Sequence, residues 1–525
     1  MSSTAHTTAS WRRKLAIAGA TLAGALLLLP AVAVADPKPI PPPAIPGVPG
    51  LAGPVAPAAA PVDNMGILKA TPDTAPGGTN FTLAGTGLAP GKAVSITWST
   101  GNISYVLDAR PDTVDYLGRS VSKFNVVIGK ATTDSKGAFS VSLTAPKDFG
   151  GIHDIYAVID GKQVSHGGFL VSRTVTISPL KGPIGTPITI TVTGLGMSQY
   201  ESEAAVLYDD HYSGLIAGNT TRGTATVQIR AAGPVGQHML EVYDASHVLP
   251  YLNIEESPLP WLTPFEFGFT VTKDAGAPRP RVEMPVTVQP TVDARTTLSA
   301  GTAAVSGAAT AKLSVTNGSI LTKVGVTASG LTANAPVDLE WATVVGNRVN
   351  CTGTCWSAVQ VPLGKPTAAA DGSLAASITV PDGLGGWHAV QLIQNGQVKA
   401  QVPFFVNRSF VSITKTVKAG QKFTIHLKGV GWTQVDNTLA VTYDNSYIGY
   451  ACGFNSQGDV TMNLVATGAP GTHLIDLYPM MYTQSPAYPF PPLAMMPLLS
   501  FNRDGPGLAL GYNLPAFHLA ITVVK

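Results

Sequence analysis

Four histidines stand at one recurring place in this chain, each shortly after a glycine turn: His153, His238, His388 and His473. An imidazole can serve as a general base or a metal ligand. These four lie far apart in the sequence, nothing there draws them together, and each reads as a structural ring bonded to a neighbouring turn. Asp209, Asp210 and His211 form the most ligand-like polar cluster, because two carboxylates and an imidazole on one turn make a donor set for a divalent cation. The matching positions later in the chain are Asp444, Asn445 and Ser446, which keep only the first acid. A shared first aspartate is what a turn needs, through its side-chain to backbone hydrogen bonds, so no metal is expected. Cys351 and Cys355, in NCTGTCW, have no second Cys pair or His pair at ligand spacing. In an exported protein they read as a short disulfide pinning a loop, and Cys452 as a buried thiol that replaces Ala217.

No catalytic set emerges. Serine-hydrolase, zinc-protease, P-loop and dinucleotide motifs are all missing in usable context, and no cofactor is expected. The acidic residues are numerous enough to assemble a carboxylate pair in three dimensions, which keeps a secreted hydrolase as an alternative. The chain carries 33 Lys and Arg against 31 Asp and Glu. With Arg12, Arg13 and Lys14 set aside, the balance turns slightly acidic, favouring neither nucleic acid nor an anionic membrane surface.

The elements that position these residues come from a duplication. Residues 129–243 return at 364–478 with a constant offset of 235 and no gap. The register runs through Gly137/Gly372, Pro146/Pro381, Gly150/Gly385, Arg173/Arg408, Gly194/Gly429, Tyr208/Tyr443 and Tyr243/Tyr478. Glycines, prolines and aromatics fix turns and core corners, and their gapless return marks a duplicated folded unit. Upstream, Gly87, Val94 and Trp98 answer Gly330, Val337 and Trp341 at an offset of 243, so the connection after Trp98 is 8 residues longer than its counterpart. That difference is expected in a surface loop.

Only 12% of residues are charged, with 55 glycines and 42 prolines in 525 residues, a turn-rich β composition too long for one core. Residues 1–35 read as an export signal, with a basic patch, an apolar run and an Ala33-Val34-Ala35 cleavage site, suiting the general secretory route. Residues 36–64 form a Pro/Ala-rich spacer. Alternating strands separated by turns then mark domains at 65–173, 174–273, 312–408 and 409–525, with a linker at 274–311. The expected fold is all-β: four tandem Ig-like β-sandwich domains arranged as a duplicated two-domain unit.

The stretches SPLKGPIGTPITITVTGLG and KAGQKFTIHLKGVGW, with the later GAFSVSLTAP and GGIHDIYAV, resemble bacterial Ig-like repeats of the IPT/TIG type. The resemblance implies a surface module and leaves the ligand open, since such modules occur in adhesins, envelope proteins and non-catalytic parts of secreted enzymes.

The longest departure from the duplication is 479–517, which is 17 residues longer than its counterpart and rich in Met, Tyr, Phe and Leu. Long loops in compact domains are uncommon unless functional, and Met and flat aromatics make adaptable contacts. Tyr482, Tyr488, Phe490, Met495, Met496 and Trp356 are the candidate binding surface, with Tyr105 and Tyr116 on a second rim. The competing reading folds the loop back as a domain-domain seam. The expected function is that of an exported, non-catalytic cell-envelope or extracellular protein acting by adhesion or as a scaffold. Its partner would be an envelope component, protein or polysaccharide, without nucleic acid and without a membrane span after signal cleavage. A secreted carbohydrate-binding protein is the alternative.

Overall fold

The computed structural model describes residues 49–110, 113–198, 200–245, 249–257, 259, 262–286, 305–346, 355–453, 457–482 and 496–525. Among them the strands are interrupted by two short 3-10 turns, Ile254–Glu256 and Leu508–Leu510, and by no α-helix. No helix among the described residues is long and apolar enough to cross a membrane. Period-two burial accounts for the strands. Pro187–Thr193 buries Ile188, Ile190 and Val192 and leaves its threonines only part-covered on the other face, the pattern of β-branched residues on a half-buried pleated ribbon.

Along the chain the strands fall into four sets that share one strand order. In the second set, Thr174–Ser178, Pro187–Thr193 and Ala225–Arg230 form a three-stranded sheet. Lys181–Gly182, Phe265–Val271, Gly236–Asp244, Glu203–Tyr208 and His211–Ala217 form a five-stranded one in that spatial order. In immunoglobulin notation these are A-B-E and A′-G-F-C-C′. The third set repeats the order, with Thr310–Leu313, Lys323–Ser329 and Leu374–Thr379 beside Asn317–Gly318, Gln397–Val406, Gly386–Gln394, Asp338–Gly346 and Trp356–Gly364. So does the fourth, with Ser409–Ile413, Lys422–Lys428 and Val460–Val465 beside Thr416–Lys418, Ala516–Val524, Gly471–Met480, Thr438–Tyr443 and Ser446–Cys452. In the first set the opening strand Ala60–Thr71 pairs antiparallel with Asn80–Gly85 and parallel with Lys162–Val171, merging both sheets into one of eight strands. The all-β, Ig-like class expected from the sequence is the class observed.

Each set has its own core: Phe81, Trp98 and Phe169 in the first, Ile190, Val206 and Phe269 in the second, Trp341, Leu392 and Phe404 in the third, Phe423, Leu477 and Phe517 in the fourth. The junction inside each half is the same. Gly150 N–H donates to Leu195 O at 2.9 Å, and Gly385 N–H to Val430 O at 3.1 Å. A Cβ on Gly150 would lie 1.9 Å from Gly194 O and one on Gly385 1.8 Å from Gly429 O, so only glycine permits this approach. Arg173 and Arg408 each donate to a carbonyl across the junction, Glu201 O at 2.7 Å and Asp436 O at 2.8 Å.

Three sequence expectations are corrected. The extra length after Trp98 is not a surface loop: Ala93–Arg110 and Thr113–Thr132 pair along their length from Ala93↔Thr132 to Arg110↔Thr113, with bulges at Ile96/Thr97 and Val106/Leu107. The added residues alternate as strand residues do, and their apolar members Ile103, Tyr105, Leu107, Val114 and Tyr116 are buried. The spacer ends earlier than expected, because Ala56 N–H donates to Asn125 O and Val127 N–H to Pro54 O. Prolines on an edge are compatible with a ladder whose donors come from the neighbouring strand and the intervening alanine. The linker is partly structural too, since Arg281–Glu283 adds to Ala516–Val524 and Asp274 accepts from the Thr472 N–H at 2.8 Å and hydroxyl at 2.7 Å.

Candidate functional site

The four recurring histidines share one geometry. Each lies on strand F, and its Nε2–H donates to the carbonyl four residues earlier: Phe149 at 2.7 Å, Pro234 at 2.7 Å, Leu384 at 3.0 Å and Ala469 at 2.8 Å. Each ring packs on an aromatic of strand C, in the pairs Trp98–His153, Tyr208–His238, Trp341–His388 and Tyr443–His473, with centroids 4.4 to 5.5 Å apart. The sets then diverge. His238 and His473 turn Nδ1 to Asp209 and Asp444, each at 2.6 Å, and the second oxygen of each aspartate accepts the next backbone N–H, from Met239 and Leu474. Asp209-Asp210 and Asp444-Asn445 all have positive φ, the signature of a two-residue hairpin turn. The Asp444 hydrogen bond raises the His473 pKa, whereas burial pushes that of His388 down to about 4. These groups fix corners of the fold. Among the described residues no group of three or more His, Cys, Asp or Glu is placed to hold a metal.

The expected binding surface is redistributed. Trp356 is only 3% exposed and packs with Val344, Leu384 and Trp432, so it is not a surface platform: its strand begins where the loop tip ends and turns the indole into the crevice beside the third set. Cys355, next to it, is disulfide-bonded, and Cys351 lies outside the described residues. Tyr482 is half-buried, with its ring 6.1 Å from that of Tyr450. Met496 is half-buried; Tyr488, Phe490 and Met495 lie outside the described residues.

The described part of the long loop is inside the molecule. Leu498, Phe501, Leu510, Tyr512 and Leu514 join one cluster with Tyr105, Leu107, Val114 and Tyr116 of the first set, Ala205, Leu207, Leu215 and Ala217 of the second, and Trp387 and Phe405 of the third. Tyr105 and Tyr116 are therefore seam residues and not an open rim. Polar contacts fix the register: Tyr105 Oη–H donates to Asp504 O at 3.1 Å, Asn219 Nδ2 to Tyr105 Oη at 3.1 Å, and Asp504 accepts the backbone N–H groups of Asn219 and Thr220. The two stretches that break the duplication thus pack against each other.

A second buried contact joins the second and fourth sets. Arg230 places Nη2 2.7 Å from Asp476 Oδ1 and donates to Leu519 O at 2.6 Å. His518 lies between Asp476 at 2.7 Å and Glu283 at 3.2 Å. Burial alone would drive the carboxyl pKa values up. The Arg230 and His518 charges reverse this for Asp476, and His518 does so for Glu283, holding both below their ordinary values. Burial likewise works against the His518 cation, but Asp476 and Glu283 carry its pKa above the ordinary value. Sequence reading missed this cluster, because Arg230 and His518 are replaced by Val465 and Glu266 at the repeat positions and nothing in either half marks them as partners.

A concave surface lies on the outer face of the first set. A groove of about 570 Å³ is lined by Ala56 to Ala59, Ser99, Thr100, Lys123, Phe124, Asn125, Ile152, Asp154, Tyr156, Gln163 and Met197. Asp154 is the single carboxylate among these lining residues, so a two-carboxylate hydrolysis has no second member there.

No known family model matches the chain, and no curated protein matches it. The IPT/TIG resemblance accordingly stays a resemblance. Among solved structures it is similar to a D1–D4 ectodomain fragment of ICAM-5, at 10% identity and a TM-score of 0.18, covering 88% of this chain and 100% of that one. It is also similar to a Salmonella alpha-2-macroglobulin, at 10% identity and a TM-score of 0.17, over 86% of this chain and 30% of that one. The adhesin InvE of Yersinia pseudotuberculosis matches at 14% identity and a TM-score of 0.18, over 46% of this chain and 71% of that one. The Ig-like assignment rests on the strand order given above.

Proposed function

We propose that this chain is an exported, non-catalytic protein of the cell envelope or extracellular space, a scaffold of four Ig-like domains that works by presenting a binding face. The observation that carries this reading is where the variable elements go. The long hairpin and the described part of the long loop, which differ between the halves, are consumed in locking the sets together, while the recurring His and Asp side chains are tied to backbone. An enzyme of this build would keep some of its titratable groups poised in a cleft. The signal at 1–35, cleavage after Ala35, the domain limits and a Cys351–Cys355 disulfide are parts of the same proposal. A secreted carbohydrate-binding factor is the second reading, favoured by the groove on the first set.

Fractionation of the producing cells tests it. Most of the mature protein should remain with the envelope after a salt wash, with its N-terminus at Asp36. Protein found mainly in the medium would overturn the envelope scaffold in favour of the secreted factor, and an unprocessed N-terminus would overturn export by signal cleavage.

A further inference from the structure

The outer face of the first set carries a built groove with an unusual roof. Ser95, Thr97 and Ser99 on strand C and Asp154 and Tyr156 on strand F alternate with the core residues Ile96, Trp98, Ile155 and Ala157, so they face away from the core. Four strands lie side by side here, Thr113–Thr132, Ala93–Arg110, Gly151–Ile159 and Lys162–Val171. The chain enters along the first, where Val55 pairs with Val126, and leaves along the fourth, where Ala60 pairs with Lys162. Residues 56–60 must therefore cross the whole sheet. From Val55 outside the first strand to Ala60 outside the fourth is five strand spacings of about 4.8 Å, about 24 Å across a flat sheet, whereas the five steps between them reach about 17 Å at about 3.4 Å each, so the segment is a taut strap over a sheet that curves beneath it.

Beneath the strap the chemistry is mixed and unspent. Among the described residues no hydrogen bond or ion pair engages the side chains of Lys123, Asn125 or Gln163, while Asp154 is already bonded to His166 at 2.9 Å. Tyr156 is a half-buried ring on the groove wall, stacked on one side by His166 with centroids 5.1 Å apart. The volume is that of a small-ligand site. Two amides that both donate and accept, hydroxyls, a flat ring, and one cation offset by one anion match a neutral ligand with many hydroxyl groups and an apolar face.

We propose that this strapped groove binds a short segment of a neutral polysaccharide, stacked on Tyr156 and hydrogen-bonded by Asn125 and Gln163. The proposal deepens the binding role above and rests on it.

The mature full-length chain is run in native gels containing dextran, galactomannan, mixed-linkage β-glucan or arabinogalactan. At least one polysaccharide should retard it, still in 1 M NaCl. Tyr156→Ala should weaken the retardation at least tenfold, Asn125→Ala and Gln163→Ala severalfold, and Tyr156→Phe little. Val465→Thr, on the fourth set, should leave it unchanged. No retardation in any gel, retardation abolished by salt, or retardation indifferent to Asn125→Ala and Gln163→Ala overturns the site, and the last two variants decide the matter if Tyr156→Ala misfolds. The outcomes separate from those of fractionation: envelope retention without retardation in any gel sinks the groove and spares the scaffold, while protein free in the medium that still binds polysaccharide does the reverse.

Discussion

Asp476 and His518 face each other across strands F and G of the fourth set; Glu241 and Glu266 occupy the same cross-strand position in the second. One pair is buried and complementary, the other lies nearer solvent and repels itself. Burial, then Asp210 and Glu266, push the Glu241 pKa up. The difference teaches how the halves are joined. The fourth set offers its outer sheet face to the end of a strand of the second, and the second does not return the contact. The contact is heterologous, unlike the isologous pairing usual between identical subunits. At this contact the two copies of one unit act as donor and acceptor.

Removing the donor should have the largest effect. Arg230→Leu strands Asp476 in the interior and should cost about 3–5 kcal/mol in urea unfolding, whereas Val465→Leu, the same position in the other half, should stay within about 0.5 kcal/mol. A cost below about 1 kcal/mol for Arg230→Leu would mean that the contact is incidental.

The pH profile comes next. Because the folded His518 pKa lies above its ordinary 6.5, its stabilisation is complete below that value and is lost as pH rises through the folded one. Asp476 and Glu283 are held below their ordinary 3.8 and 4.5, so their contribution is present above those values and fades as pH falls through the folded ones. Thermal unfolding from pH 3 to 9 should peak between these limits, and His518→Gln should flatten the alkaline limb by about 1–2 kcal/mol. A variant that parallels the parent on that limb would show that His518 does not titrate there.

The smallest change is expected on the open face. Glu266→Gln removes the like-charge opposition and should stabilise by about 0.2–1 kcal/mol at neutral pH, with the gain vanishing once the carboxyls protonate. A gain that persists at pH 3 would assign it to something other than charge.

How much of this was legible beforehand follows from what a repeat can report. Glycines at close junctions, the His-to-carbonyl corners and the Asp turns recur because each set needs them locally, so the offset of 235 exposed them. The Arg230–Asp476–His518 contact and the loop seam are made by residues that differ between the repeats, such as Arg230 against Val465, and for them a duplication carries no signal. Trp356 misled for a related reason: an aromatic beside a Cys loop reads as exposed, yet Val344 and Leu384 of the third set and Trp432 of the fourth bury it. The strap was hidden by composition, since a Pro/Ala run looks the same whether it is free or laid across a sheet.

The seam also imposes an order in time. Tyr105 and the Asp504 carbonyl it bonds are 399 residues apart, so a chain emerging from its N-terminus makes the long hairpin early and its cover among the last residues. Loop closure over such a distance is slow, and unpaired apolar surface invites aggregation meanwhile. Until residue 514 arrives, Tyr105, Leu107, Val114 and Tyr116 lack the loop's share of their cover and leave a strip of hydrocarbon partly open to solvent. A chain cut short near residue 496 would keep the sheets of the first three sets, lose the strand Ala516–Val524 around which the fourth set's larger sheet is built, and still present that strip, the kind of half-finished surface to which chaperones and proteases respond.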